Sequence, residues 1–150
     1  TLFRSRVYST YWRWSESVVD MGTYTGCLET RQGWPLHITT DMSPAAIRNF
    51  PLQGHGSEII RLACMLAQRI GVTVIMPIHD ALLIEANTDE IQDAALACQL
   101  AIEGASEEIL GGFRLKTKTE NVCRYPERYE PGIGRELWNS VLNHTGWRET

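Results

Sequence analysis

The order of apolar patterns predicts an α+β fold in which an antiparallel β-hairpin sheet packs against long helices. Two observations carry this prediction. Stretches 57–70 and 88–109 place apolar residues at helical spacing. Between them, residues 72–86 form a run rich in Val, Ile and Leu that His79-Asp80 divides into two strand-length halves. A polar pair at such a junction is the mark of a hairpin tip.

The remaining elements follow in order. Tyr11, Trp14, Val18 and Met21 recur at helical spacing over 7–21, with Gly22 as the stop and with Trp12 and Trp14 expected in the core. Cys27–Thr30 and Leu36–Thr39 read as short strands around the turn Arg-Gln-Gly-Trp. Residues 41–51 hold two prolines and read as loop with one helical turn after Ser43-Pro44. Ser57 then caps a helix whose apolar stripe is Ile59, Leu62, Ala63, Leu66 and Ile70, with Glu58, Arg61, Gln68 and Arg69 outward and Gly71 ending it. In the stretch 88–109, Ile91, Ala94, Ala95, Cys98, Ile102 and Ala105 face inward and the acids outward. Phe113–Glu120 alternates as a lysine-bearing edge strand, and a short helix is expected around 135–142.

At 150 residues the chain matches one ordinary domain, enough to bury roughly 70% of its unfolded surface. No apolar run nears the ~20 residues of a transmembrane helix, so no membrane partner is expected. The opening Thr-Leu-Phe-Arg-Ser-Arg has neither Met nor leader and reads as internal to a longer protein. Cys27, Cys64, Cys98 and Cys123 lack metal-ligand spacing and read as reduced thiols of a cytoplasmic protein. The net charge of −4 is not that of a general nucleic-acid binder. Its distribution qualifies this: residues 79–113 carry eight acids and no Lys or Arg, leaving all 14 bases to other surfaces.

Several segments together resemble family A DNA polymerases, the group of bacterial DNA polymerase I. Arg48-Asn-Phe-Pro-Leu-Gln53-Gly54 is similar to the family's Asn-x-Pro-x-Gln-Gly segment, which leads into a long helix. Ile78-His79-Asp80 is similar to the hairpin sequence called motif C. Upstream, Tyr8-x-x-Tyr-Trp-x-Trp14 and Gly26-Cys-Leu-Glu-Thr30-x-x-Gly33 resemble the helix and hairpin that follow the fingers. Roughly residues 5–120 fit in order. The resemblance implies a C-terminal palm segment, divided into a post-fingers helix and hairpin at 1–40, a palm core at 41–120 and a tail at 121–150.

What it implies chemically is DNA-directed nucleotidyl transfer to a primer 3′-hydroxyl, in DNA replication or repair. Two Mg²⁺ ions roughly 3.5 to 4 Å apart serve such chemistry, one activating the hydroxyl and one neutralising the leaving pyrophosphate. Asp80 would be a catalytic carboxylate and metal ligand, presented on a rigid tip. His79 would contact the primer end. Asn49 and Gln53 would meet DNA in the minor groove, where amides reach acceptors present on every base pair. Arg48 would meet phosphate. The partners implied are primer–template DNA, deoxynucleoside triphosphates, and the upstream palm and fingers of the same protein.

Each residue also has a plainer reading. Asp80 is a good turn residue, His79 a scaffold hydrogen-bonder, Asn49 and Gln53 potential caps, and Arg48 an ordinary surface charge. Gly54 and Gly56 suit either a helix N-terminus near phosphate or tight packing. The Arg124-Tyr125 and Arg128-Tyr129 pairs, around Pro126, suit a packed, solvated loop better than a nucleic-acid contact.

Two departures from the family pattern stand out. Ala81 occupies the place of the Glu that follows His-Asp, and Glu85, five residues after Asp80, points to the opposite face of a regular strand. If that Glu is an accessory to the metal-binding aspartates, its loss weakens rather than abolishes chemistry. The family's other metal-binding Asp and the nucleotide-gripping fingers residues have no counterpart in these 150 residues, so the isolated chain is expected not to polymerise. The alternatives are a metal-dependent nuclease using His79 and Asp80 with His37 or His55, and a decayed polymerase remnant that binds DNA or protein, the latter through the acidic stretch 88–109.

Overall fold

The structure is a computed structural model that describes residues 7–124 and 134–146. It is an α+β fold of four helices and two separate two-stranded antiparallel sheets among the described residues. The chain divides into two compact units, residues 1–117 and 118–150.

In the first unit, α1 spans Ser9–Thr25 and β1 and β2 span Cys27–Glu29 and Pro35–His37. Helix α1 passes through Gly22 and stops at Gly26, whose φ of 72° terminates the helix with its N–H on the Gly22 carbonyl. Gly22 is a packing residue instead: a Cβ there would stand 3.0 Å from Leu28 Cγ. The inward face is Ser15, Val18 and Gly22, whereas Tyr11, Trp14 and Met21 are exposed and Trp12 is half-buried. The expected aromatic core is therefore a partly solvated stack, with Tyr11 5.7 Å from Trp14 between ring centroids. Val18 joins Leu28 and Ile47 in a small core that holds α1 and the first hairpin on the next helix.

That helix, α2, runs unbroken from Pro44 to Arg69. Ser43 caps it, accepting from the Ala46 N–H at 3.3 Å, and Pro44 occupies the first turn, where its missing N–H costs nothing. The expected loop over 41–51 and the expected new start at Ser57 are both overturned. Pro51 lies inside the helix, and Ser57 donates its hydroxyl to the Gln53 carbonyl rather than capping. Packing on both sides of Pro51 outweighs the proline penalty: Ile47 is buried in the α1 core and Ile59, Ala63 and Ala67 in the next. The helix ends in a paired arrangement, Gly71 N–H to Gln68 O and Val72 N–H to Ala67 O, with Gly71 at φ +86°.

Strands β3 (Thr73–Ile78) and β4 (Ala81–Glu85) pair antiparallel, and α3 spans Ile91–Ile109. Helices α2 and α3 and the inner face of this second hairpin form the main core, with Ala63, Ala67, Cys98, Ala101, Ala105 and Ile109 buried. The small residues bring the two helices close. Burial raises the Cys98 thiol pKa above its ordinary value, with Cys64 as a lesser cause. Cys27, Cys64, Cys98 and Cys123 are all free.

Residues 113–117 do not form the expected edge strand. They lie along α3, whose side chains take the ladder's place. The Leu115 N–H donates to Ser106 Oγ at 2.9 Å, and the Thr117 N–H and hydroxyl donate to Glu103 Oε1 at 3.3 and 3.1 Å. Arg114 adds an ion pair to Glu103 Oε2 at 3.0 Å. In the second unit, α4 spans Arg135–Thr145 with Gly146 after it. The Tyr125, Pro126, Arg128 and Tyr129 motif lies outside the described residues.

Two outcomes are expected. Gly54→Ala places a Cβ 2.5 Å from Thr30 Cγ2, and urea unfolding should show a loss of about 1 to 3 kcal/mol. Hydrogen bonds from Thr117, then the Arg114 charge, hold the Glu103 carboxyl below its ordinary value of 4.5. A depressed native pKa stabilises only above the unfolded value, so the stability advantage of wild type over Glu103→Gln should be full near neutral pH and shrink as pH falls below 4.5.

Candidate functional site

The second hairpin closes in a two-residue turn, Ile78 pairing with Ala81. His79 adopts φ +55°, a left-handed conformation that few residues other than Gly, Asn, Asp and His accept. It leaves the His79 and Asp80 side chains 87% and 92% exposed, with His79 Nδ1 3.5 Å from Asp80 Oδ1. Asp80 is thus displayed on a turn whose strands are held from beneath. A bulge near Ile75 shifts the register between Val74 and Met76. Val74, Leu82 and Ile84 face the helices, and Ile75, Met76, Ile78 and Leu83 are exposed. Glu85 is exposed at the opposite end of β4 from the turn, paired with Thr73.

Packing also fixes where the tip points. Val74 and Ile84, at the hairpin's base, pack on the group that contains Ala67 and Val72, whereas Leu82 also packs on Ile59 and Ala63. From its base to Leu82 the hairpin therefore runs along α2 from Ala67 to Ile59, in the direction of that helix's N-terminal half. That half carries Asn49 and Gln53, four residues apart, on one exposed helical face. Arg48 beside them is half-buried, with its Nε sealed from solvent and without a partner among the described residues. Neither Asn49 nor Gln53 caps a helix, because α2 starts at Pro44.

The same stretch of α2 holds the first hairpin's turn in place. Glu58 is buried, 1% exposed. Its Oε1 accepts from the Thr30 hydroxyl and from the Gln32 N–H at 3.3 Å. The Thr30 hydroxyl in turn accepts from the Trp34 N–H at 3.0 Å. His55 Nδ1 lies 2.6 Å from the Pro51 carbonyl, and its Nε2 accepts from the Arg31 N–H at 3.1 Å, which makes it the neutral Nδ1–H tautomer. Gly54 touches Thr30 where any Cβ would collide. Consecutive turn residues Thr30, Arg31 and Gln32 are thereby docked on consecutive contacts of one helix.

Glu58, expected outward opposite the Ile59 stripe, faces inward, and of the two readings of the glycines, helix start or tight packing, Gly54 serves tight packing while Gly56 has open space beside it. Gly54 and Glu58 stand one helical turn apart on α2 and both meet Thr30. Glu58 Oε2 is buried and has no partner among the described residues.

A Mg²⁺ pair needs several oxygen ligands on fixed supports. Asp80 offers one carboxylate, and no group of three His, Cys, Asp or Glu side chains gathers among the described residues. These residues alone do not fit a two-metal site, and no chemical step is assigned to metal from them. Comparison with known proteins gives no match: no family model, curated protein or solved structure matches this chain. No helix among the described residues is long and apolar enough to cross a membrane.

Proposed function

We propose that this chain is the motif C portion of a template-directed DNA polymerase palm, acting within a longer protein. What supports the reading is that Asp80 is displayed on a hairpin packed against α2 and that Asn49 and Gln53 are exposed on that same helix. A nucleotidyl-transfer site needs a carboxylate at the primer terminus and amide groups along the adjoining minor groove. Here the carboxylate stands on a hairpin that two helices support, and the amides stand on one of those helices. Helical support confers the positional precision that such chemistry demands.

In this reading Asp80 would be one carboxylate of a metal site completed by carboxylates from other parts of the protein, and Mg²⁺ held there would supply charge neutralisation at the primer hydroxyl and the pyrophosphate. His79, with its ring 3.5 Å from Asp80, orients the carboxylate or the primer end. Asn49 and Gln53 grip the duplex, and Arg48 adds positive charge behind them. The nuclease alternative loses one of its ligands, because both ring nitrogens of His55 are occupied by Pro51 and Arg31.

Primer extension with Mg²⁺ by the longer protein that carries this chain tests the reading. Asp80→Asn should lower turnover on the order of a thousandfold while primer–template affinity stays within about twofold. An Asp80→Asn protein that extends primers at the wild-type rate contradicts it.

A further inference from the structure

The docked turn leaves a cleft of about 390 Å³ beside α2. Trp34 forms one wall, and Gln53, Ser57 and Arg61, spaced by four residues, form the other. The Arg61 guanidinium carbon lies 5.1 Å from the centroid of the Trp34 ring. Stacking of this kind holds a guanidinium by its face and leaves its in-plane N–H donors free to meet an acceptor. Among the described residues those donors make no hydrogen bond or ion pair, and Arg61 and Trp34 are both exposed. The acid of the cleft, Glu58, turns one oxygen to Thr30 and Gln32 and is buried, so the mouth presents a cation, an indole and two neutral polar groups.

Gln53 is shared by this cleft and the Asn49 face, and the row from Asn49 to Arg61 winds about 120° round the helix. Asn49, Gln53, Ser57 and Arg61 fall at successive intervals of four on α2. Twelve residues of helix span about 18 Å, close to five base-pair rises of about 3.4 Å. We infer that Arg61 and Trp34 form a second grip on the primer–template duplex, the guanidinium on a backbone phosphate and the indole against the adjoining deoxyribose. Gln53 joins this grip to the minor-groove contacts. Glu58 acts as a positioning residue, since its bond to Thr30 sets how far Trp34 stands from α2. The inference rests on the reading of Asn49 and Gln53 as DNA contacts.

The test is fluorescence anisotropy of the 150-residue chain with a labelled primer–template duplex between 50 and 200 mM NaCl, with urea midpoints confirming that each variant is folded. Arg61→Ala should weaken binding about five- to tenfold and flatten the plot of log affinity against log salt by about one. Arg61→Lys should restore the slope, because it restores the charge. Trp34→Ala should weaken binding about fivefold with the slope unchanged, because it carries no charge. An Arg61→Ala chain with wild-type affinity and slope overturns the second grip while leaving the polymerase reading intact, provided Asn49→Ala and Gln53→Ala weaken binding. A wild-type chain that does not bind the duplex at 50 mM NaCl overturns both.

Discussion

The buried contact between Glu58 and the Thr30 turn is the constraint on which the rest of the first unit depends. A carboxylate removed from water needs donors, and the donors come from a hairpin 28 residues earlier in the chain. Oε1 finds them in Thr30 and Gln32, Arg31 docks between them on His55, and Oε2 has no partner among the described residues. The docked turn then reaches further: the Arg31 guanidinium lies against Gly111, with Nη1 2.8 Å from where a Cβ would stand, at the C-terminal end of α3. A cation suits that end, where the last carbonyls of the helix point outward. One turn thus ties the first hairpin to both long helices, and the apolar packing of Ala63, Ala67, Ala101 and Ala105 holds those helices together.

Much of this was legible in the sequence, and the failures have physical causes. The β3–β4 hairpin and its His79-Asp80 tip were legible because strand composition and a polar turn pair agree locally. The α3 stripe was legible because Ala95, Cys98, Ile102 and Ala105 follow one helical face. The Ser43-Pro44 start of α2 was legible, but its continuation through residues 51–56 was not, because Pro51, Gly54 and Gly56 each argue against a helix locally, whereas tertiary contacts at Ile47, Thr30 and Ile59 decide the outcome. The 113–120 segment alternates like a strand, but its N–H groups find Ser106 and Glu103 on α3 rather than a neighbouring strand. Alternation reveals which side chains share a face, not which element satisfies the backbone.

Within the candidate site, exposed residues were legible and the support was not. Asp80, Asn49 and Gln53 announce themselves through motif and spacing. Glu58 is hidden by its own chemistry, since a charged residue beside an apolar stripe reads as solvated until a partner from another part of the chain is known. The long unbroken α2 is what brings these residues into one frame: its N-terminal half carries the amides, its middle holds the turn through Gly54, His55 and Glu58, and its C-terminal half supports the hairpin that displays Asp80. A break at Pro51 would uncouple Asn49 from Gln53 and from the hairpin.

The claim that the Glu58–Thr30 contact organises this frame is tested most directly by a double-mutant cycle, Thr30→Val and Glu58→Leu singly and together, read by urea unfolding. A coupling of about 1 kcal/mol or more between the two positions is predicted, because each single change strands a buried partner. Additivity within about 0.3 to 0.5 kcal/mol would contradict the account and leave the turn held by packing alone.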